Sequence, residues 1–423
     1  MKKGRPSLSP GLAWALALTA TFTMSVSYVD RQTLAALAPT VTRELGIDET
    51  SYGLLLSAFS VAYLVGSPLA GRLVDAVGAR RGLLGAVLVW SVVAGLHALV
   101  PSFAILFTLR IALGLAEAPS FPGAAQTVHR ALPPGERARG LGILFTGSSF
   151  GAMIAPKLAT FFNERFGWRG AFLGSALVGL VWVPIWLLLA FRKDADAVFE
   201  VRQEKASGPA FRVKDVLASK AVWRGVVLIL CCAPLLGFHF NWLSKMLDRR
   251  FHTTQAEIGN LLILPPLLYD AGAVIFGSLG TRQIKANPSS DDPPYGLLVI
   301  ATVLVMAGLL VPICGSPWPA MVATGVSMAG GGGLYGLGTS DTLRRVSPQG
   351  LSLAGGLLAA SQSLALIVSN PLIGESVKKS GSYTPSILVL AMLHLPGLTA
   401  WILIKAPPVH RAPAETEDVE VPS

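Results

Sequence analysis

The chain has 423 residues, 52% of them hydrophobic and only 14% charged. Apolar residues gather in blocks of about 20, the length that crosses a hydrocarbon layer about 30 Å thick, which points to a polytopic membrane protein without a soluble domain. The formal charge of +10 does not indicate a nucleic-acid binder, because Lys and Arg are scattered over short loops instead of collecting on one face.

Taken in order, the chain opens with Lys2, Lys3 and Arg5 ahead of an apolar run. A signal peptide begins this way, but the run is too long and lacks a small-residue cleavage site. It is expected to stay as the first membrane helix. The hydrophobic pattern predicts six segments at about 11–41, 52–74, 82–100, 103–128, 140–162 and 170–191. Six more follow at about 222–243, 258–279, 295–313, 318–339, 350–373 and 385–404. A linker rich in charged residues separates the sets. The expected fold is an all-α membrane protein with twelve transmembrane helices in two six-helix halves. The halves fall at 1–191 and 222–405, with a cytoplasmic linker at 192–221 and a cytoplasmic tail at 406–423.

Orientation follows from the basic residues. With the N-terminus in the cytoplasm, the outer side holds only Arg43, Arg165, Arg169, Lys245, Arg249, Arg250, Lys378 and Lys379. Arg31, Arg110 and Lys157 lie within segments, and the rest of the 34 basic residues fall on the cytoplasmic side. Both termini are therefore expected in the cytoplasm and the chain in the cell inner membrane. Cys231, Cys232 and Cys314 lie in apolar segments and form neither a metal-ligand pattern nor a disulfide framework. No phosphate loop, metal cluster or nucleophile–base pair is present in the sequence, so an enzyme is not expected. Gly147-Ser148-Ser149-Phe150-Gly151 reads as a small-residue packing face. Gly330 to Gly333 reads either as a packing face or as a bending point.

The costly residues mark the site. Asp30 and Arg31 stand side by side in segment 1, and each costs about 2.5–3.5 kcal/mol at mid-membrane on insertion scales. Such residues are functional candidates by default. Two repeats of six place a substrate site near the midplane, between the halves.

After segment 2 comes Gly71-Arg72-Leu73-Val74-Asp75-Ala76-Val77-Gly78-Ala79-Arg80-Arg81. This loop resembles the signature of the major facilitator superfamily. After segment 8, Gly277-Ser278-Leu279-Gly280-Thr281-Arg282 is a degraded echo, with Thr281 at the place of Asp75. Within the superfamily the chain resembles the anion:cation symporters, which include bacterial hexuronate and galactonate transporters. Carrying that resemblance are Tyr28 to Leu34 with Ala38-Pro39, Arg110 with Gly114 to Pro119 and Phe121-Pro122, and Gly167 to Phe172. Trp242 to Leu247, Tyr269 to Gly272 and Ser369-Asn370-Pro371 carry it in the second half.

The resemblance implies proton-driven uptake of an organic or sugar-acid anion. It implies Asp30 and Glu117 as proton carriers, and Tyr28, Arg31, Arg110 and Asn370 as substrate contacts. Lys157 stands where relatives usually have a neutral residue.

The residues themselves give a compatible reading. Arg110 and Glu117, seven apart, share a helix face about 10 Å apart along the axis. At similar depth to Asp30-Arg31, they are expected to face one cavity from two helices. An arginine fork holds a carboxylate through two hydrogen bonds, and an acid beside it exchanges a proton as the fork fills. The alternative is a static network with Glu117 paired to Arg110.

Lys157 either contacts the anion or snorkels outward. Asp270 carries a proton, binds a hydroxyl or pairs with Lys157. Asn370 binds a hydroxyl or satisfies a kink. Tyr28 and Tyr63 line the cavity or simply pack. His239 and Asn241 sit near the outer end of segment 7. Asp75, Arg80 and Arg81 are expected to form a cytoplasmic lock that gates. The expected function is proton-coupled symport of a hexuronate- or aldonate-like acid. The expected partners are the anion, protons and the bilayer, with the protein a monomer and with no cofactor or metal. The alternatives are a carrier of aromatic or dicarboxylic acids, an exporter, a non-transporting anion sensor, and an intramembrane enzyme.

Overall fold

The computed structural model describes residues 8–199, 213–287, 290–347, 350–405 and 407–409. The basic residues of the N-terminal tail, the middle of the linker and most of the C-terminal tail lie outside the described residues. The described residues contain α-helices, three short 3₁₀ turns and no strand.

The first half begins with α1 (Pro10–Ala36), which starts where Pro10 meets the Ser9 hydroxyl accepting the Leu12 N–H. Proline suits that position because the first helical N–H groups have no partner in any case. The expected first segment ends early: the helix breaks at Leu37, and α2 (Ala38–Glu44) carries Pro39 in its first turn. Asp48 caps α3 (Glu49–Val77) by accepting the Ser51 N–H at 2.8 Å. Gly78, at φ +82°, then turns the chain directly into α4 (Ala79–Leu96). A side chain is strained at that φ, which accounts for glycine at this point of the signature loop.

The fourth segment is split by Ala118-Pro119 into α5 (Phe103–Glu117) and α6 (Ser120–Ala131). Next, α7 (Arg137–Ala190) runs on as one 54-residue element, interrupted only by Gly167 at φ 70°, ψ 175°. Directly beyond that turn Gly174 lies against the Phe162 ring, so the two legs of α7 fold back on each other. The short α8 (Lys193–Phe199) leads into the linker.

The second half follows α9 (Val213–Leu217). Its helices are α10 (Lys220–Asn241), α11 (Leu243–Phe251), α12 (Gln255–Leu261), α13 (Leu264–Ala286), α14 (Tyr295–Val305), α15 (Pro317–Leu343), α16 (Leu351–Ser380) and α17 (Thr384–Leu403). A capping box of Thr254 and Glu257 opens α12, and after the break at Leu262-Ile263 Pro265-Pro266 occupy the first turn of α13. Gly381, in the left-handed region at φ +71°, ends α16.

Among the described residues, 10 helical stretches are long and apolar enough to cross a membrane. The expected twelve are reached only by dividing α7 at Gly167 and adding the glycine-rich α15. The outside of the bundle is apolar. On α3, Val61, Val65, Leu69 and Leu73 stand four apart and are 44%, 58%, 59% and 52% exposed. Such a stripe is stable only where hydrocarbon covers it, which makes this a multi-pass membrane protein.

Glycines set the helix spacing. Gly147 and Gly151 of α7 lie against the carbonyl oxygens of Thr21 and Ser25 on α1, and the Ser25 hydroxyl donates to the Gly147 carbonyl at 2.9 Å. The run Gly330 to Gly333 meets the α14 backbone, Leu236 of α10, and Tyr269 and Phe276 of α13 in turn. Helical dihedrals continue through it, so the run is a packing face on every side.

The two halves meet tightly at one end, the end opposite the chain termini. There Arg43 pairs with Asp248 at 3.0 Å, Lys245 with Glu49 at 3.2 Å and Lys378 with Asp48 at 2.8 Å. Lys245 also donates to the Thr42 hydroxyl, and the Ser244 hydroxyl donates to the Ala35 carbonyl. Among the described residues every ion pair linking the halves lies at this end.

Candidate substrate and proton site

Neighbouring residues on a helix project about 100° apart, so Asp30 and Arg31 leave α1 in different directions. Arg31 reaches α5, where its Nε donates to Glu117 Oε2 at 2.5 Å. Ser27, one turn earlier on α1, donates to the same oxygen at 2.7 Å. The other Glu117 oxygen, Oε1, is buried without a hydrogen bond. The guanidinium lies over the rings of Tyr63 at 4.4 Å, Phe59 at 4.9 Å and Tyr28 at 5.1 Å. Ring faces attract a cation, so this aromatic cradle holds the fork in place without using its donors.

Asp30 leaves α1 toward Ser175 of α7 and is 1% exposed, within the fields of Glu117, Arg110 and Arg31. Arg110 is 3% exposed, with Nε and Nη2 lacking a hydrogen bond. Asp30, Glu117, Tyr52 and His97 lie within the field of Arg110. Among the four charged residues Arg31 and Glu117 form the ion pair, and Arg110 feels Glu117 more strongly than it feels Asp30, so Glu117 links the two arginines. Arg31 is the most accessible of the four, with a side chain 17% exposed against 0% for Glu117.

The second half brings two phenols toward Tyr28, and one acid, Asp270, to mid-depth. Tyr28 is close enough to Tyr269 and Tyr335 for their phenols to interact. Tyr335 donates to Gln362 Oε1 at 3.1 Å. Asp270 is half-buried and accepts from the Ser149 hydroxyl of α7 at 2.7 Å, which bridges the halves at mid-depth. Tyr335 and Gln362 are not among the residues that the sequence marks as candidates. A polar Gln362 inside an apolar segment was a usable signal.

Four candidate residues sit elsewhere. Asn370 is 1% exposed and accepts from the Trp242 indole N–H at 3.0 Å. Its carbonyl abuts Gly53 of α3, so it belongs to the closed seam between the halves. Asn241 contributes its carbonyl to that seam, accepting from the Tyr52 hydroxyl at 2.8 Å. His239 is buried nearby, with Nδ1 unpartnered. Lys157 lies on the same side of α7 as exposed Phe150, Ile154 and Phe161, and donates to the Asn260 amide across the seam. That is the lipid side of the helix, turned away from Tyr28, and Asp270 is not its partner.

The loop residues hold the first half together. Asp75 accepts from Gln126 at 3.0 Å. Arg80 pairs with Asp196 of α8 at 2.5 Å and lies over the rings of Phe191 and Phe199. Arg81 is exposed. Among the described residues Asp75 and Arg80 bond only within the first half, so they do not join the two halves in this conformation.

Two helical halves closed at one end, with a charged group enclosed between them at mid-depth, define a transporter architecture. Comparison with known proteins agrees. The family model described as Major Facilitator Superfamily matches residues 20–288, and the chain belongs to that family. It is a membrane transporter and not an enzyme. The Hexuronate transporter of Escherichia coli K12 is 25% identical, over 97% of this chain and 98% of its own length. A Bacillus subtilis protein named "Probable galactarate/D-glucarate transporter GudP" is also 25% identical, over 96% of each chain. The solved structure of the nucleoside transporter NupG superposes with a TM-score of 0.72 at 13% identity, covering 92% of this chain and 99% of that one, a likeness of fold.

Proposed function

We propose that the protein is a proton-coupled symporter that takes up a small sugar acid of the hexuronate or aldonate kind by alternating access. The Arg31–Glu117 pair carries this reading. While Glu117 is ionised it occupies the guanidinium. A proton on Glu117 neutralises it and releases the fork, which then holds a substrate carboxylate through two parallel hydrogen bonds. Proton and anion thus enter the site together, with no covalent step. Asp30, enclosed beside Arg110, is a second proton carrier whose charge responds to the same group. Tyr28 and Tyr63 frame the bound carboxylate, Asp270 acts between the halves at mid-depth, and Asn370 acts at the seam where they close.

The excess of Lys and Arg in the loops on the terminal side supports cytoplasmic termini in the inner membrane. In that orientation the ion-paired end is the outer gate and the present conformation opens inward. Asp75, Arg80 and Arg81 then re-pair when the cytoplasmic end closes. An aromatic acid is the second reading, favoured by the three rings around Arg31.

The test is uptake into proteoliposomes under an inward proton gradient. Glucuronate, galactonate and benzoate are compared. Glu117→Gln is expected to lose gradient-driven accumulation and to keep counterflow exchange. Absence of gradient-dependent uptake for every anion refutes symport, and loss of exchange in the variant makes Glu117 structural.

A further inference from the structure

We propose that the cavity accepts one carboxylate and a neutral, hydroxyl-bearing tail, so that monocarboxylate sugar acids are carried and dicarboxylate ones are rejected. This rests on the transport reading above and narrows it. Sequence similarity does not decide the point, because the relatives named for hexuronate and for galactarate/D-glucarate are equally similar at 25%.

The cations of the bundle decide it. Releasing Arg31 from Glu117 provides a single fork at the cavity. Arg110 is 3% exposed, enclosed within the first half among Glu117, Tyr52, Asp30 and His97. Lys157 points to the lipid side with Asn260. Lys245 is held by Glu49 and Thr42 in the closed seam. Arg224, Arg344 and Arg345 converge on Asp341 at 3.7, 3.0 and 2.8 Å, at the far end of the second half. Among the described residues no other cation is placed to meet a second carboxylate at mid-depth.

Opposite Arg31 the second half presents Tyr269, Tyr335 and Gln362, which donate to and accept from hydroxyls. Asp270 beside Tyr269 is held by the Ser149 hydroxyl and adds no positive charge. A carboxylate left unpaired in a water-poor site keeps most of its desolvation penalty, so a diacid loses at its tail what a hydroxyl gains.

The experiment is competition against labelled D-glucuronate uptake in proteoliposomes, with D-galactonate, D-glucarate, lactate and succinate as competitors. Galactonate is expected to compete comparably with unlabelled glucuronate, and glucarate at least about tenfold more weakly. Gln362→Arg, which adds a second cation on the facing half, is expected to narrow that gap. Equal competition by glucarate and galactonate overturns the proposal and leaves sugar-acid transport standing. If no sugar acid is carried but lactate is, and succinate is not, the sugar reading fails and the one-carboxylate rule holds. If succinate is carried instead, both fail.

Discussion

In the proposed symport Arg31 is the residue on which anion and proton meet, and its neighbours define what a substitution removes. Lysine keeps the charge but gives up the planar fork and much of the contact with Tyr63, Phe59 and Tyr28. Charge-assisted hydrogen bonds contribute about 1.5–3 kcal/mol each. Arg31→Lys is therefore expected to raise the KM for uptake by roughly tenfold or more, read from initial rates over a substrate series. A KM within twofold of wild type would place the carboxylate elsewhere. Lys157 gives the opposite expectation. Because it faces lipid and bonds only Asn260, Lys157→Ala is expected to leave the KM within about twofold, as exposed polar contacts usually do.

The sequence made the cost of Asp30, Arg31, Arg110 and Glu117 plain, since any charge in an apolar segment is visible there. It did not show which partner each charge takes, because a 100° step between neighbours decides that only once the helices are packed. Lys157 was ambiguous for the same reason: its depth was legible, and the side of α7 on which it stands was not.

At the scale of helices, close approach between α3 and α16 makes the closed end possible. A Cβ on Gly374 would stand 2.8 Å from Thr50 Cα, and one on Gly53 would stand 2.8 Å from the Asn370 carbonyl carbon. Both contacts are to backbone of the other half, which cannot swing aside. Gly374→Val is expected to leave each half intact and to disfavour closure. Overpacking costs about 1–3 kcal/mol, roughly 5- to 150-fold in the equilibrium. Cysteines at positions 43 and 248, whose native side chains pair at 3.0 Å, report this as reduced cross-linking alongside reduced uptake. Unchanged cross-linking would mean that the seam closes by another path. The hydrophobic pattern located most of these helices. It missed their breaks at Leu37, Ala118 and Leu262, where Pro39, Pro119 and Pro265 interrupt apolar runs that hydropathy alone joins. It also left the purpose of Gly330 to Gly333 open, because a glycine run reads alike whether it bends or packs.

For the molecule as a whole, the question is which groups make the change between conformations depend on pH. The ion pairs of the closed end are one possible source, and Asp48 and Glu44 bear on it. Lys378, with help from the Ser51 N–H, holds the Asp48 carboxyl at about 2. Arg169, and then the Trp168 indole, hold Glu44 below the usual carboxylate range. Both shifts are downward from ordinary values near 4. For a depressed acid, the contribution of its partner is fully present above the ordinary value and is lost as pH falls through the lowered one. The Asp48–Lys378 link is thus intact from about pH 4 upward and lost only toward about pH 2. Being exposed, it is also a weak link. Between pH 5 and 8 these two acids do not titrate, so they do not supply a pH-dependent closure in that window, and on the proposed mechanism the acids within the bundle do, with Glu117 foremost. The 43–248 cross-linking yield in wild type is expected to change across pH 5 to 8, and in Glu117→Gln to be flat or nearly so. An unchanged pH response in that variant would transfer the proton's role to Asp30, whose Asp30→Asn variant would then show the flat profile.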